Sequence, residues 1–213
     1  MDFAAHLDAR NRDISLGLNS RVEIQAYLAG LPYVGEDRTR APLQVMQDRQ
    51  CHCLDGGLLA ALALQSIGFP PRIIDLVPEL FTDDDHVLAI FQVNGHYGAV
   101  AKSNFSGLRY REPIHRSLRE LVMTYFEVFF NIDRLKTLRA YTRPLHLGAF
   151  ERYHWHTTDE GVERVSQRLY SLQPIPVVSP DMVARLSRMD ERAFNTNMQG
   201  VNMDGLYKGP APH

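Results

Sequence analysis

Apolar and polar positions divide the chain into helical and strand-like stretches. Ser20 and Glu23 stand at capping-box spacing, and Ile24, Tyr27, Leu28 and Leu31 follow at helical intervals until Pro32. This predicts a short amphipathic helix. The residues before Ser20 carry little periodicity, Glu36 to Arg40 reads as charged loop, and Pro42 to Asp48 as a helical turn. From Leu58 to Ile67 the chain is apolar on nearly every side, so it predicts a helix buried in the middle of a domain. Gly68 stands where a C′ glycine would end it, and Pro70 and Pro71 forbid continuation. Arg72 to Val77 then reads as a strand.

The clearest β signal follows. His86 to Val93 predicts a strand, Asn94-Gly95 a type I′ turn, and His96 to Lys102 its return. With a two-residue turn Val93 faces His96, and counting back along the ladder sets His86 opposite Ser103, or Asn104 if the turn slips by one. Arg109 to Arg116 reads as a polar connection. Ser117 and Glu120 form a second capping box ahead of Leu118, Leu121, Val122, Tyr125, Phe126 and Phe129, a stripe suited to covering one side of a sheet. Asn131 to Phe150 is mixed and basic. Val162, Val165, Leu169 and Leu172 mark a helix from near Thr158. Ser179-Pro180-Asp181 opens a last helix reaching to about Arg192. Beyond Asn195, Asn, Gly, Met and Pro predict a flexible tail. The expected organisation is one α+β domain over residues 1–194, with its core near 42–130, a helical extension over 131–194, and a tail over 195–213.

Composition narrows the class. A 45% apolar fraction, 23% charged residues and a net charge of −2 describe an ordinary globular chain. It has no electrostatic footprint for nucleic acid or an anionic membrane, and no apolar run of the ~18 residues that span a bilayer. Met1 to Arg12 has neither secretory nor transit character. Two cysteines one residue apart close almost no loop. The expectation is a cytoplasmic protein with reduced thiols and no cofactor.

Chemistry concentrates around Cys51-His52-Cys53-Leu54-Asp55-Gly56-Gly57. A thiol at a helix N-terminus meets the positive end of the macrodipole and unpaired N–H groups, which favour thiolate and can hold an oxyanion. The alternatives are that Cys51 and Cys53 are small buried hydrophobes, or with His86 begin a metal site, although one-residue spacing is tight for zinc. His86 follows Asp83-Asp84-Asp85, and a carboxylate at the imidazole would favour a thiolate–imidazolium pair. His154 and His156 share one face at strand spacing and read as a structural pair.

Cys53-Leu54-Asp55, the small apolar helix, Gly68-Phe69-Pro70-Pro71-Arg72 and the strand-opening His86 together resemble the transglutaminase-like superfamily. The runs Gly98 to Asn104 and Leu108 to Pro113 resemble an uncharacterised bacterial branch of it. The resemblance covers roughly Pro42 to Asn104. It implies a papain-like α+β arrangement, with the cysteine helix packed on an antiparallel sheet that bears the histidine. It also implies Cys53 as nucleophile, selected over Cys51 by its spacing to Gly68, and His86 as base. The family's aspartate would fall near Ala101, and its tryptophan is replaced by Leu88. Ser103 or Asn104 is then the candidate to orient the imidazole, and Gln50 or Gln47 to complete the oxyanion site. The expected activity is hydrolysis or acyl transfer at an amide bond of a peptide or modified amino acid. A degenerate scaffold that binds without turnover is the alternative, and metal binding by Cys51, Cys53 and His86 the third.

Overall fold

Four helices run ahead of the sheet: α1 (Ala9–Gly17), α2 (Arg21–Gly30), α3 (Pro42–Asp48) and α4 (Cys53–Ser66). The protein is described here by a computed structural model covering residues 3–36 and 38–209. Met1, Asp2, Asp37 and residues 210–213 lie outside the described residues, and with them parts of the N-terminal stretch, the charged loop and the expected tail. Helix α1 had no periodic signal because it buries only Asn11. It is held instead by its cap, the Asn11 N–H donating to the Asp8 carboxylate at 2.7 Å. The box at Ser20 forms as expected, with Ser20 Oγ accepting from the Glu23 N–H at 3.2 Å.

Helix α4 is apolar all round, and it is enclosed all round. Nearly its whole length is buried, including Leu54, Leu58, Leu59 and Leu64. Each fully buried leucine contributes about 1.5–3 kcal/mol relative to an exposed one. Its glycines let two chains approach. A Cβ on Gly57 would lie 2.9 Å from Val87 Cγ1, and one on Gly56 2.2 Å from Lys102 Cβ. The helix ends in a Schellman motif: Gly68 (φ +94°) donates to the Gln65 carbonyl at 3.1 Å and Phe69 to that of Leu64 at 2.9 Å.

The strands are β1 (Arg72–Pro78), β2 (His86–Val93), β3 (His96–Val100), β4 (Arg111–His115), β5 (Leu138–Tyr141), β6 (Leu145–His146) and β7 (Ile175–Pro176). They form an antiparallel sheet in the order β4-β3-β2-β1-β5-β7, with β6 also paired to β1. The predicted hairpin register is observed: Val93 faces His96, and Asn94 and Gly95 both take positive φ. Three expectations change. Arg109–Arg116 contains β4, the supposed helical extension supplies β5, β6 and β7, strands too short to show alternation, and the helix opened by Ser179 stops at Val183 instead of reaching Arg192. Helices α5 (Leu118–Phe126), α6 (Asp159–Tyr170), α7 (Pro180–Val183) and α8 (Glu191–Asn197) complete the chain.

Alternation along the strands divides the interior in two. Ile73, Val87, Ala89, Phe91 and Val100 face α4, whereas Ile74, Leu76, Leu88, Ile90 and Ala99 face Leu121, Val122 and Tyr125 of α5. No helix of the described residues is long and apolar enough to cross a membrane.

Candidate functional site

The N-terminus of α4 is locked before it is reactive. His52 is its N-cap, with Nδ1 accepting the Leu54 N–H at 3.2 Å. Buried Asp55 accepts from the N–H groups of Arg40 (2.7 Å) and His52 (3.4 Å), and His52 Nε2 lies 3.2 Å from its Oδ1. The Arg40 guanidinium in turn pairs with Asp48 at 3.0 Å and Glu36 at 2.7 Å. The aspartate of the Cys-x-Asp run is therefore a structural clasp between the helix and the preceding loop. Cys51 is wholly buried beneath Gly56, and burial pushes its thiol up to about 12.

Cys53 is the first residue of α4 and borders a cleft of about 550 Å³ together with Tyr33, Asp84, Asp85, Ser166 and Tyr170. Its thiol donates to the Asp85 carbonyl at 3.7 Å, and the Val87 N–H also points to the sulfur. Asp75, directly opposite Val87, shares this face of the sheet. It is 3% exposed, and its Oδ1 has no hydrogen-bond partner. Tyr170 Oη donates to Asp85 Oδ2 at 3.3 Å. Burial first, then the charges of Asp85 and Asp84, hold the Cys53 thiol well above its usual range. Burial first, then Asp85, raises the Asp75 carboxyl. Asp84 is pushed up to about 6 by burial and Asp85. The thiolate expected from the helix dipole is thus outweighed, and Cys53 is a protonated donor.

His86 projects to the other face. Val87 packs on α4, so its neighbour His86 points with Leu88 and Ile90 toward the α5 side, opposite Leu76. Its Nε2 lies 2.7 Å from the Leu108 carbonyl. A carbonyl only accepts, so Nε2 carries the proton and Nδ1 the lone pair in the neutral ring. Burial lowers the imidazole to about 4. Among the described residues no hydrogen bond joins Cys53 to His86, so the expected thiolate–imidazolium pair is not assembled.

The other candidates are also reassigned. Ser103 lines a second cleft, of about 380 Å³, with His86, but its Oγ accepts from the Phe105 N–H at 3.0 Å. The β2–β3 ladder ends at Ala89 and Val100, before the counted pairing is reached. Asn104 exchanges two bonds with Asn202, Nδ2 to its carbonyl at 2.9 Å and Oδ1 from its N–H at 2.8 Å. Gln47 is exposed on α3, and neither it nor the half-buried Gln50 lines either cleft. Cys51, Cys53 and His86 do not converge, and no group of three or more His, Cys, Asp or Glu among the described residues could hold a metal ion.

The group that orients His86 is main chain, which sequence reasoning missed. Arg111 builds the loop that carries it, donating to the carbonyls of Gly107 (2.8 Å) and Tyr110 (3.0 Å) and to Thr124 Oγ1 (2.9 Å). Its guanidinium stacks 4.0 Å over the Tyr125 ring, whose hydroxyl donates to the Arg109 carbonyl at 2.8 Å. In the sequence the run Leu108-Arg109-Tyr110-Arg111 carries only a resemblance, with no role for any of its residues. The signal available was an arginine following a glycine-containing turn.

No family model matches the chain, and comparison with curated proteins finds no match. Among solved structures, EGTA-treated Legionella pneumophila LapG is similar at 13% identity over 47% of this chain and 66% of that one, with a TM-score of 0.36. A second LapG structure from Legionella pneumophila is 10% identical over 76% of this chain and 92% of that one, with a TM-score of 0.41. The chain spans just under two thirds of the first. Likeness of this order carries no argument about chemistry, which rests on the geometry.

That geometry presents two neutral groups on either side of one stretch of backbone. The two clefts share Tyr33, Asp84, Asp85 and the segment Gly205 to Gly209. Cys53 supplies an S–H and an adjoining helix N-terminus, and His86 supplies a ring whose tautomer is fixed.

Proposed function

We propose that the protein is a cysteine hydrolase or acyltransferase of the transglutaminase-like kind, acting on an amide bond of a peptide or modified amino acid. The observation that carries this reading is the Leu108 carbonyl on His86 Nε2, which leaves Nδ1 as the basic nitrogen. It does for the ring what an aspartate or asparagine does in a triad: it fixes tautomer and orientation. The Cys53 sulfur already lies against the backbone of residues 85–87, which carries that ring. In the working step the S–H leaves the Asp85 carbonyl and gives up its proton as the S–C bond forms; with the ring at rest on the α5 side, Nδ1 takes that proton only once the ring has turned toward Cys53. The carbonyl oxygen becomes an oxyanion beside the Cys53 N–H. The C–N bond then breaks, His86 returns the proton to the departing amine, and water or a second amine resolves the thioester. With both partners neutral at rest, the proton moves during attack and not before it.

The binding-scaffold reading is favoured by one observation, the lack of a Cys53–His86 hydrogen bond. Iodoacetamide alkylation, followed separately at each cysteine, decides between the two. In His86→Ala the Cys53 rate near pH 7.5 is expected to fall about a hundredfold, the lower end of general-base effects, while Cys51 is unaffected. Equal Cys53 rates in the two proteins would favour the scaffold.

A further inference from the structure

The stretch expected to be a flexible tail, from Asn195, carries the end of α8, a helical turn over Met203–Gly205 and a set of side-chain clasps. Asn202 is held from two sides, by the paired bonds with Asn104 and by its own Nδ2 donating to the Tyr33 carbonyl at 2.9 Å. Beyond it the chain runs against Tyr33 and Gly35 with no room to spare. A Cβ on Gly35 would lie 2.7 Å from Gly205 Cα, and one on Gly205 would lie 2.8 Å from the Tyr33 ring. Leu206, Tyr207 and Lys208 then form part of the wall of both clefts, beside Asp84 and Asp85. Asn104, read from the sequence as an orienter of His86, is spent on this segment.

We propose that the groove between Cys53 and His86 is a binding site for an extended peptide chain, and that residues 202–209 are its resident occupant. The ligand class follows from the fit: a backbone with a glycine passing Tyr33, in clefts whose walls also hold Asp84 and Asp85 and so suit a basic residue. As part of the wall of the cleft that Cys53 borders, the segment narrows the way in for a substrate peptide and so restrains the site. The proposal rests on the reading of Cys53 and His86 as the reactive pair only for its consequence in catalysis; the binding itself does not.

The test uses full-length Gly35→Ala, in which the new methyl collides with Gly205 from an exposed position, and Gly205→Val, which collides with Tyr33 from the other side. Both are expected to raise iodoacetamide alkylation of Cys53 at least tenfold while melting within a few degrees of the parent. A synthetic peptide of residues 201–209 added to Gly35→Ala is expected to restore protection, and the same peptide with Lys208→Glu to do so at least fivefold more weakly. An unchanged Cys53 rate in both variants overturns the proposal, as does full protection by a scrambled peptide. Acceleration that persists undiminished in Gly35→Ala/His86→Ala supports the occupant and removes His86 as base, so the two readings fail separately.

Discussion

The two faces of the sheet hold their titratable groups by different means. On the α4 face, Cys53 and Asp75 lie among side chains of one charge sign, Asp84 and Asp85, and burial with repulsion keeps both protonated. On the α5 face, His86 lies among apolar residues with a single strong partner, the Leu108 carbonyl, and burial keeps it unprotonated. Burial favours the neutral form in each case, yet the consequences differ. The first face stores unfavourable electrostatics, whereas the second stores orientation. A helix N-terminus contributes only about 0.3–1 kcal/mol to a nearby anion at most surfaces, which is too little to offset desolvation of a thiol flanked by carboxylates.

The largest way to break this contrast is to release the orientation. Arg111→Leu removes a stacked guanidinium and its bonds to Gly107, Tyr110 and Thr124, at an expected cost of about 2–4 kcal/mol in chemical denaturation. The His86 titration, followed by NMR of its ring protons, should then rise from about 4 toward its ordinary value. Part of that rise is the lost charge, since the Arg111 cation itself lowers His86. Arg111→Lys keeps the charge but not the planar fork. A lysine variant that titrates like the parent would show that charge, not loop position, governs the ring.

The same contrast explains what could be read in advance. The buried α4, its Gly68 stop, the hairpin register and both capping boxes each rest on side chains whose chemistry is local, and all were legible. The position of Cys53 at the first turn of α4 was legible for the same reason. The orientation of His86 was not, because one residue of strand phase sends a ring to the opposite face, and the register of β2 against α4 is set by Gly57 meeting Val87. Its partner was invisible because a carbonyl belongs to every residue and distinguishes none. Asp75 sat unnoticed in an apolar run, where its pairing opposite Val87 could only be known from the sheet.

A medium effect is expected on the α4 face. Asp75→Asn replaces a buried carboxyl whose raised range makes the native state hold a proton that the unfolded chain releases. That costs stability as pH rises above the unfolded aspartate value, near 3.9. The asparagine variant should therefore be more stable by about 1–2 kcal/mol at pH 8 and unchanged at pH 3. His86 has the opposite sign. Its lowered value means the unfolded chain binds the extra proton, so its contribution, up to ~3 kcal/mol, is lost as pH falls from about 6.5 through about 4. Stability measured against pH in Asp75→Asn should show that acid loss more clearly than the parent, where the two slopes oppose. A parent profile identical in shape to the variant's would mean that Asp75 ionises normally.

The smallest effect sharpens the assignment of the orienting group. Ser103 and His86 share a cleft, and ladder counting would place them together, so the two hypotheses for the ring make separable predictions. If the Leu108 carbonyl alone holds Nε2, Ser103→Ala costs only the Phe105 N–H its acceptor, about 1 kcal/mol in a buried loop, and His86 keeps its titration near 4. Cys53 alkylation should then match the parent across the pH range. A hydroxyl that touched the ring would show itself differently, through a shifted imidazole titration and a slower Cys53 with little change in stability. The split between stability and titration distinguishes a turn-forming serine from an orienting one even where each effect is small.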